Sequence, residues 1–426
     1  MRGVTIGAWM AAAVALLAAP ARAQQPQDTT ELDRIKRQVE AITRELEELR
    51  LGREVVAEAD TSAIGLAPAA SKVYRVRQGV ALGGYGEFLY QHFAGRDENG
   101  AASGLSDRID TYRAILYAGY RFDDKWLFNS ETEFEHAGKE VSVEFAYLEY
   151  RARPSFGVRI GNLLAPMGFV NEVHEPPTFL GTTRPETERQ IIPSTWHENG
   201  AGVFGTTHAM TYRAYLLNGF RGEGFGAGGL RDGRQDGAEA QAENFGVVGR
   251  VDYGGVLGLT VGGSAYVGNS GQGADSPSVP GTTVGARTLI WEGHAEYRAR
   301  GFDLRGLYAQ ATIDDAADLN QLVGLTGSAS IGHKLRGWYL QAGYDLLRGT
   351  RSGQQLIPFV RYEELNTQAQ VPAGYAADPA NDRSILSLGA AWKPLANIAF
   401  KGDYQIWKNQ AKTGVNQLNV NVGYLF

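Results

Sequence analysis

Cysteine is absent from the 426-residue chain. That excludes a disulfide framework, a thiolate metal site and a thiol nucleophile. Long apolar runs are scarce too: beyond residues 8–20 none is long enough for a transmembrane helix. The mean hydropathy of −0.27 also argues against helical spans. It does not argue against a β-barrel, where only every second residue of a strand meets lipid. There are 7 histidines, scattered and never at HExxH spacing. Basic residues do not dominate. Without the leader described next, which takes Arg2 and Arg22, 39 basic residues face 47 acidic ones, a net charge of −8. A chain of this sign is no partner for nucleic acid. What is abundant is Gly (55), Tyr (20) and Phe (17), residues of tight turns, strands and aromatic girdles.

The N-terminus reads as an export signal over residues 1–23. Arg2 supplies the positive charge, residues 8–20 the apolar stretch, and Ala21-Arg22-Ala23 a small-residue cleavage site. Residues 24–51 form a coiled-coil segment. Within it Leu32, Ile35, Val39, Ile42, Leu46 and Leu49 alternate spacings of three and four, a heptad seam that permits trimers. A lone amphipathic helix lying on its own barrel would carry the same seam. Residues 52–78 mix Ala, Ser, Gly, Pro and charges, the composition of a linker.

From residue 79 to 426 the helical period gives way to a period of two. Leu418, Val420, Val422, Tyr424 and Phe426 share one face of the last strand, opposite Gln417, Asn419, Asn421 and Gly423. The pattern recurs, as with Trp126, Phe128 and Phe134 opposite Asn129, Glu131, Glu133 and Glu135. It predicts strands near 80–90, 108–122, 125–136, 141–153, 156–162, 199–206, 209–219 and 243–253. Eight more follow near 257–268, 287–299, 301–312, 334–347, 355–366, 383–393, 396–408 and 415–426. Connections alternate between short ones such as Asp123-Asp124 and Pro154-Ser155 and long ones such as 163–198, 220–242 and 313–333. A β-sandwich has no reason for that regularity. An outer-membrane barrel does, with tight turns at one mouth and long loops at the other. The expected fold is all-β: a sixteen-stranded antiparallel transmembrane barrel with a short periplasmic coiled coil.

Residues 163–198 would form the third external loop. Phe179, Leu180, Ile191, Ile192 and Trp196 make it too apolar to wave in solvent, and loops beyond about fifteen residues are uncommon unless functional or disordered. Folded into the barrel, it would present Arg184, Glu186, Glu188, Arg189 and Glu198 to a channel; laid outward, it would cap the mouth or pack on a neighbouring subunit. The candidate pore-lining residues on the strands are Arg113, Glu131, Glu133, Glu149, Arg159, Arg213 and Arg361. Arg159 and the charges of this loop are placed nearest the constriction, and a solvated lumen side chain is the plainer role for the rest. Neither sign of charge wins by count. His174-Glu175 and His197-Glu198 share the loop but lack a defined scaffold, so no metal, cofactor or catalytic group is expected.

The order of leader, coiled coil, linker and barrel resembles the phosphate-selective porin O/P family. The likeness is most specific in 107–122 (DRIDTYRAILYAGYRF), 143–168 (VEFAYLEYRARPSFGVRIGNLLAPMG), the third loop and the last strand. It implies a homotrimer in the bacterial outer membrane, with the third loop folded into each pore and periplasmic helices joined at the three-fold axis. Arg113, Arg159 and Arg213 fit the arginine ladder of anion-selective members. The lysines are few, however, and Glu131, Glu133 and Glu135 face the same lumen. The sequence therefore points to passive diffusion of small hydrophilic solutes and ions without enzymatic turnover. A phosphate or anion channel is the alternative, and a non-conducting barrel tethering a periplasmic coiled coil is the rival.

Overall fold

The computed structural model describes residues 63–426 and, before them, Arg34, Lys36 and Gln38–Glu40, which are helical. The chain divides into two units, Met1–Val56 and Ala57–Phe426. The leader, and the coiled coil apart from those five helical residues, lie outside the described residues.

The second unit is a closed antiparallel barrel of sixteen strands in sequence order. The first are β1 (Gly79–Phe93), β2 (Arg108–Arg121), β3 (Trp126–Glu135), β4 (Glu140–Arg153) and β5 (Phe156–Leu164). After the long third loop come β6 (His197–Thr207), β7 (Met210–Asn218), β8 (Phe245–Val256), β9 (Leu259–Asn269) and β10 (Arg287–Ala299). The last six are β11 (Phe302–Ile313), β12 (Lys334–Tyr344), β13 (Gln355–Gln370), β14 (Asp382–Leu395), β15 (Ile398–Asn409) and β16 (Gln417–Leu425). Closure comes from β1 on β16, with Tyr85 opposite Leu425 and Phe93 opposite Gln417. A closed sheet leaves no row of unpaired backbone groups, which water-free surroundings would not tolerate.

The period of two sorts the residues. Leu418, Val420 and Tyr424 point outward and are exposed, whereas Gln417, Asn419 and Asn421 point inward and are buried. Outward aromatics pair near the short-turn mouth (Trp126–Tyr150 at 4.7 Å, Phe302–Tyr344 at 4.9 Å) and nearer the other mouth (Trp291–Tyr308 at 5.3 Å, Trp338–Tyr362 at 5.6 Å). Two aromatic belts thus bound an apolar band on the outer surface, the pattern of transmembrane β-barrels. Short turns follow local chemistry. Ala299 pairs with Phe302, and the two residues between, Arg300 and Gly301, have φ of 54° and 88°. Both lie in the left-handed region of a type I′ hairpin turn, whose twist matches that of the strands.

The inside is filled. The third loop, residues 165–196, folds inward and carries one helical turn, α1 (Glu186–Gln190). Its Leu180, Ile191, Ile192 and Trp196 are at most 1% exposed. Residues 52–78 were expected to be a linker; of the described part, 63–74 packs inside the barrel, and Arg75, Arg77 and Gln78 are exposed. Leu66, Ala67, Ala69, Ala70 and Val73 are buried, and Ala70–Tyr74 is a short 3₁₀ turn. Small side chains let this segment run against the wall. A Cβ on Gly119 would lie 2.7 Å from Val73, and one on Gly83 would lie 3.1 Å from the carbonyl of Ala69.

Candidate functional site

The inward faces hold alternating arginines and carboxylates that pair across neighbouring strands. Near the long-loop mouth, Arg113 on β2 reaches Glu87 (3.1 Å), Glu133 (3.0 Å) and Glu135 (2.9 Å). Such a buried cation is stable only because several acceptors surround it. Across the lumen Arg213 bridges Glu172 (3.2 Å) and Asp252 (2.8 Å), and Arg250 also reaches Asp252 (2.9 Å). His294 lies 2.9 Å from Asp252 and 2.8 Å from Glu292.

The third loop is tied to this wall through its backbone. Lys401 donates to the carbonyl of Gly181 (3.0 Å), while Asp403 accepts from the amide and hydroxyl of Thr182 (2.8 Å each). Arg305 and Arg298 both donate to the carbonyl of Thr178, at 2.6 and 2.7 Å. Glu363 accepts from the Thr187 amide (2.6 Å). Glu188 is the central knot. It accepts from the amides of Phe169 and Val170 (2.8 Å each) and from the Tyr339 hydroxyl (2.6 Å). Burial raises its carboxyl above the usual range, opposed by those three donors.

Glu175 joins the two fillers. It accepts from the amides of Ala69 (2.9 Å) and Ala70 (3.0 Å), and burial pushes its carboxyl up to about 7 against those bonds. Next to it, His174 sits between Glu131 and Glu144, 3.2 Å from each. Burial opposes its charge, but the two carboxylates prevail and hold the imidazole up at about 10.

Among the described residues, three cavities bear on the lumen. One of about 340 Å³ opens at the long-loop mouth and is lined by Arg113, Phe179, Arg184, Glu186, Arg189 and Arg231 among others. Two of about 420 Å³ lie toward the short-turn mouth. Both touch Thr178, one also touches Leu180, and between them they include Arg213, Arg250, Arg298, Arg305 and Asp303. The strip Thr178–Leu180 thus touches all three cavities, Phe179 lining the first and Thr178 and Leu180 lining those at the other end. Lys401 Nζ stands 3.7 Å from the Phe179 ring.

The residues singled out from sequence are dispersed among these features. Arg113, Arg184, Glu186 and Arg189 line the loop-end cavity, and Arg213 lines one at the other end. Arg361 donates to the carbonyl of Thr183 (3.3 Å), beside the strip. Arg159 is held by Glu149 (2.8 Å), the hydroxyls of Tyr215 and Tyr74, and the carbonyl of Ile64 (3.4 Å). It packs on the N-terminal segment, away from Thr178–Leu180. Glu198 accepts from Asn218 (2.5 Å) and the Gln235 amide (2.8 Å) and lines none of these cavities. Glu131 and Glu133 are spent on His174 and Arg113.

Lys401, Asp403, Arg298 and Arg305 form the wall opposite the strip. Alternation put them inward; only the path of the loop shows which inward residues it meets. Glu144 escaped sequence reasoning for another reason. Glu131 pairs with Phe145 and Thr132 with Val143, which leaves Glu144 as the extra residue of a β-bulge. The bulge turns Glu144 inward together with Phe145.

No family model matches the chain. An uncharacterized protein of Aquifex aeolicus (strain VF5) is 39% identical over 365 residues, spanning 82% of this chain and 80% of that protein. The chain belongs to that family. Among solved structures, OmpF of Salmonella typhi in complex with daunomycin is similar with a TM-score of 0.54 and 14% identity, over 82% of this chain and 98% of that one. OmpT of Vibrio cholerae, an outer membrane protein, is similar as a loop L8 deletion mutant and in its trimer form. Each has a TM-score of 0.52 and 13% identity, over 82% of this chain and all of that one. The barrel thus has the porin fold and resembles bacterial outer-membrane proteins.

Proposed function

We propose that this chain is an outer-membrane porin through which small hydrophilic solutes and ions diffuse passively, with the third loop as the constriction. The observation that carries the reading is the strip Thr178–Leu180. Charged cavities reach it from both mouths of a barrel whose outer face suits lipid. A solute crossing the lumen would pass Phe179 and the facing Lys401, Arg361, Arg298 and Arg305. No step of bond chemistry is needed, and the reading is non-enzymatic. The trimer form of the similar OmpT supports a homotrimeric assembly, with the N-terminal segment on the periplasmic side.

An anion preference, phosphate included, is the finer reading. It is favoured by the loop-end cavity, where Arg108, Arg113, Arg184, Arg189 and Arg231 outnumber Glu87, Asp110, Glu135 and Glu186. The testing experiment is single-channel recording in a planar bilayer with a salt gradient. The porin reading expects steady steps in groups of three and a reversal potential near neutral or mildly anion-selective. Block by phosphate would establish the finer reading. Folded, inserted protein that never conducts would contradict both and leave the tethering barrel.

A further inference from the structure

Where β3, β4 and the third loop meet, three side chains form a pocket that the proposed passage does not use. His174 Nε2 lies 3.2 Å from Glu131 Oε1 and 3.2 Å from Glu144 Oε2. All three residues are at least 98% buried. Four ligands held tetrahedrally at zinc–nitrogen and zinc–oxygen bond lengths of about 2.0–2.1 Å stand about 3.3 Å apart. We propose that Glu131, Glu144 and His174 bind one zinc-class divalent cation that pins the third loop to the barrel wall. This does not depend on whether the barrel conducts.

The supporting groups are those a metal site needs. His174 Nδ1 lies 3.0 Å from the carbonyl of Asn171. A proton held there leaves the Nε2 lone pair pointing at the two carboxylates. Glu144 Oε1 accepts from the Thr195 hydroxyl at 2.7 Å, which fixes the orientation of that carboxylate. The second oxygen of Glu131 has no hydrogen-bond partner among the described residues, and neither do the hydroxyls of Tyr85 and Tyr117. Leaving such buried groups unmet is costly. A cation would satisfy the free carboxylate oxygen. The Tyr85 ring centroid is 6.2 Å from that of His174 and 6.2 Å from that of Tyr117.

Charge argues the same way. Arg113 is already shared among Glu87, Glu133 and Glu135. A divalent cation would balance the charge of the two carboxylates directly. One nitrogen and two carboxylate oxygens suit zinc, whereas calcium and magnesium take oxygen sets. The bulge re-aims Glu144 into this pocket, and bulges gather where a side chain must be re-aimed.

A second trio where β3 turns into β4, Glu135, His136 and Glu140, lies at the rim and provides the control. Its His136 already pairs with Asp110 at 2.5 Å. The test strips folded full-length protein with a chelator and titrates it with Zn²⁺ and, separately, Co²⁺. Folding is monitored by heat-modifiable migration. The proposal expects one zinc per chain retained through gel filtration and a four-coordinate Co²⁺ spectrum. Folded Glu144→Gln and His174→Gln lose that uptake, and Glu140→Gln keeps it. If the ligand variants do not fold, Thr195→Val serves instead, with an expected loss of affinity of about 10–100-fold. The proposal is overturned if folded native protein takes up no zinc above buffer. It is equally overturned if uptake survives the ligand variants and Thr195→Val, or is lost in Glu140→Gln.

Discussion

Two segments fill this barrel, and they do so by different means. The loop 165–196 enters with large apolar groups and is held by charged side chains of the wall acting on its backbone, at Gly181, Thr182 and Thr187. The segment 63–78 enters with alanines and serine and fits against glycines of the wall. Its polar ties include Glu175 to the amides of Ala69 and Ala70, Arg159 to the carbonyl of Ile64 and the hydroxyl of Tyr74, Asn129 to the carbonyl of Ala70 (3.0 Å), and Tyr74 to Glu149 (2.7 Å). Arg121 adds bonds to the carbonyls of Tyr74 and Val76. The first filler is fixed by directional bonds, the second by directional bonds and by closeness of approach to Gly83 and Gly119. Breaking a bond should therefore cost the loop more than a steric change costs the segment.

The largest expected effect is at Glu188. Glu188→Ala strands three buried donors, each worth about 1–3 kcal/mol when left unpaired. Urea unfolding in detergent should show a loss of roughly 3 kcal/mol or more, with unsteady current through the channel. Tyr339→Phe removes one of the three bonds, to a charged acceptor, at a cost of about 1.5–3 kcal/mol. If the two variants are equally stable, Glu188 is not the knot described. In the other filler, Gly119→Leu pushes Val73 out of its place. Overpacking of that kind costs about 1–3 kcal/mol. It should free the segment so that trypsin cuts faster after Arg75 and Arg77. Unchanged digestion would mean that closeness to Gly119 does not hold the segment. Lys401→Met removes both the donor to the Gly181 carbonyl and a cation stacked on Phe179, and should cost about 1–3 kcal/mol. Its readout is the reversal potential, which should move toward cation selectivity.

The wall was legible in the sequence because each strand repeats one simple rule. β10 spans the residues that alternation marks, 287–299. Others shift by a turn of chain: β5 runs on to Leu164, and β12 stops at Tyr344 rather than 347. The inward course of the third loop was legible too, since Ile191, Ile192 and Trp196 had to be buried somewhere. Residues 63–78 were not, because Ala, Ser and Gly carry the same composition whether they form a linker or lie close against a wall. Glu144 was hidden by its bulge, which breaks the alternation used to assign faces. Arg159 was rightly turned inward by that rule, but periodicity contains no information about which filler an inward residue touches.

The central claim is that ions pass Phe179 at the third loop. Because the chain has no cysteine, Phe179→Cys introduces a single reactive thiol at that point. Charged methanethiosulfonate reagents added from the loop side of a conducting trimer should then reduce the current in three discrete steps, and should leave the parent protein unaffected. Full modification of the thiol with no change in current would contradict the claim and place the conducting path elsewhere.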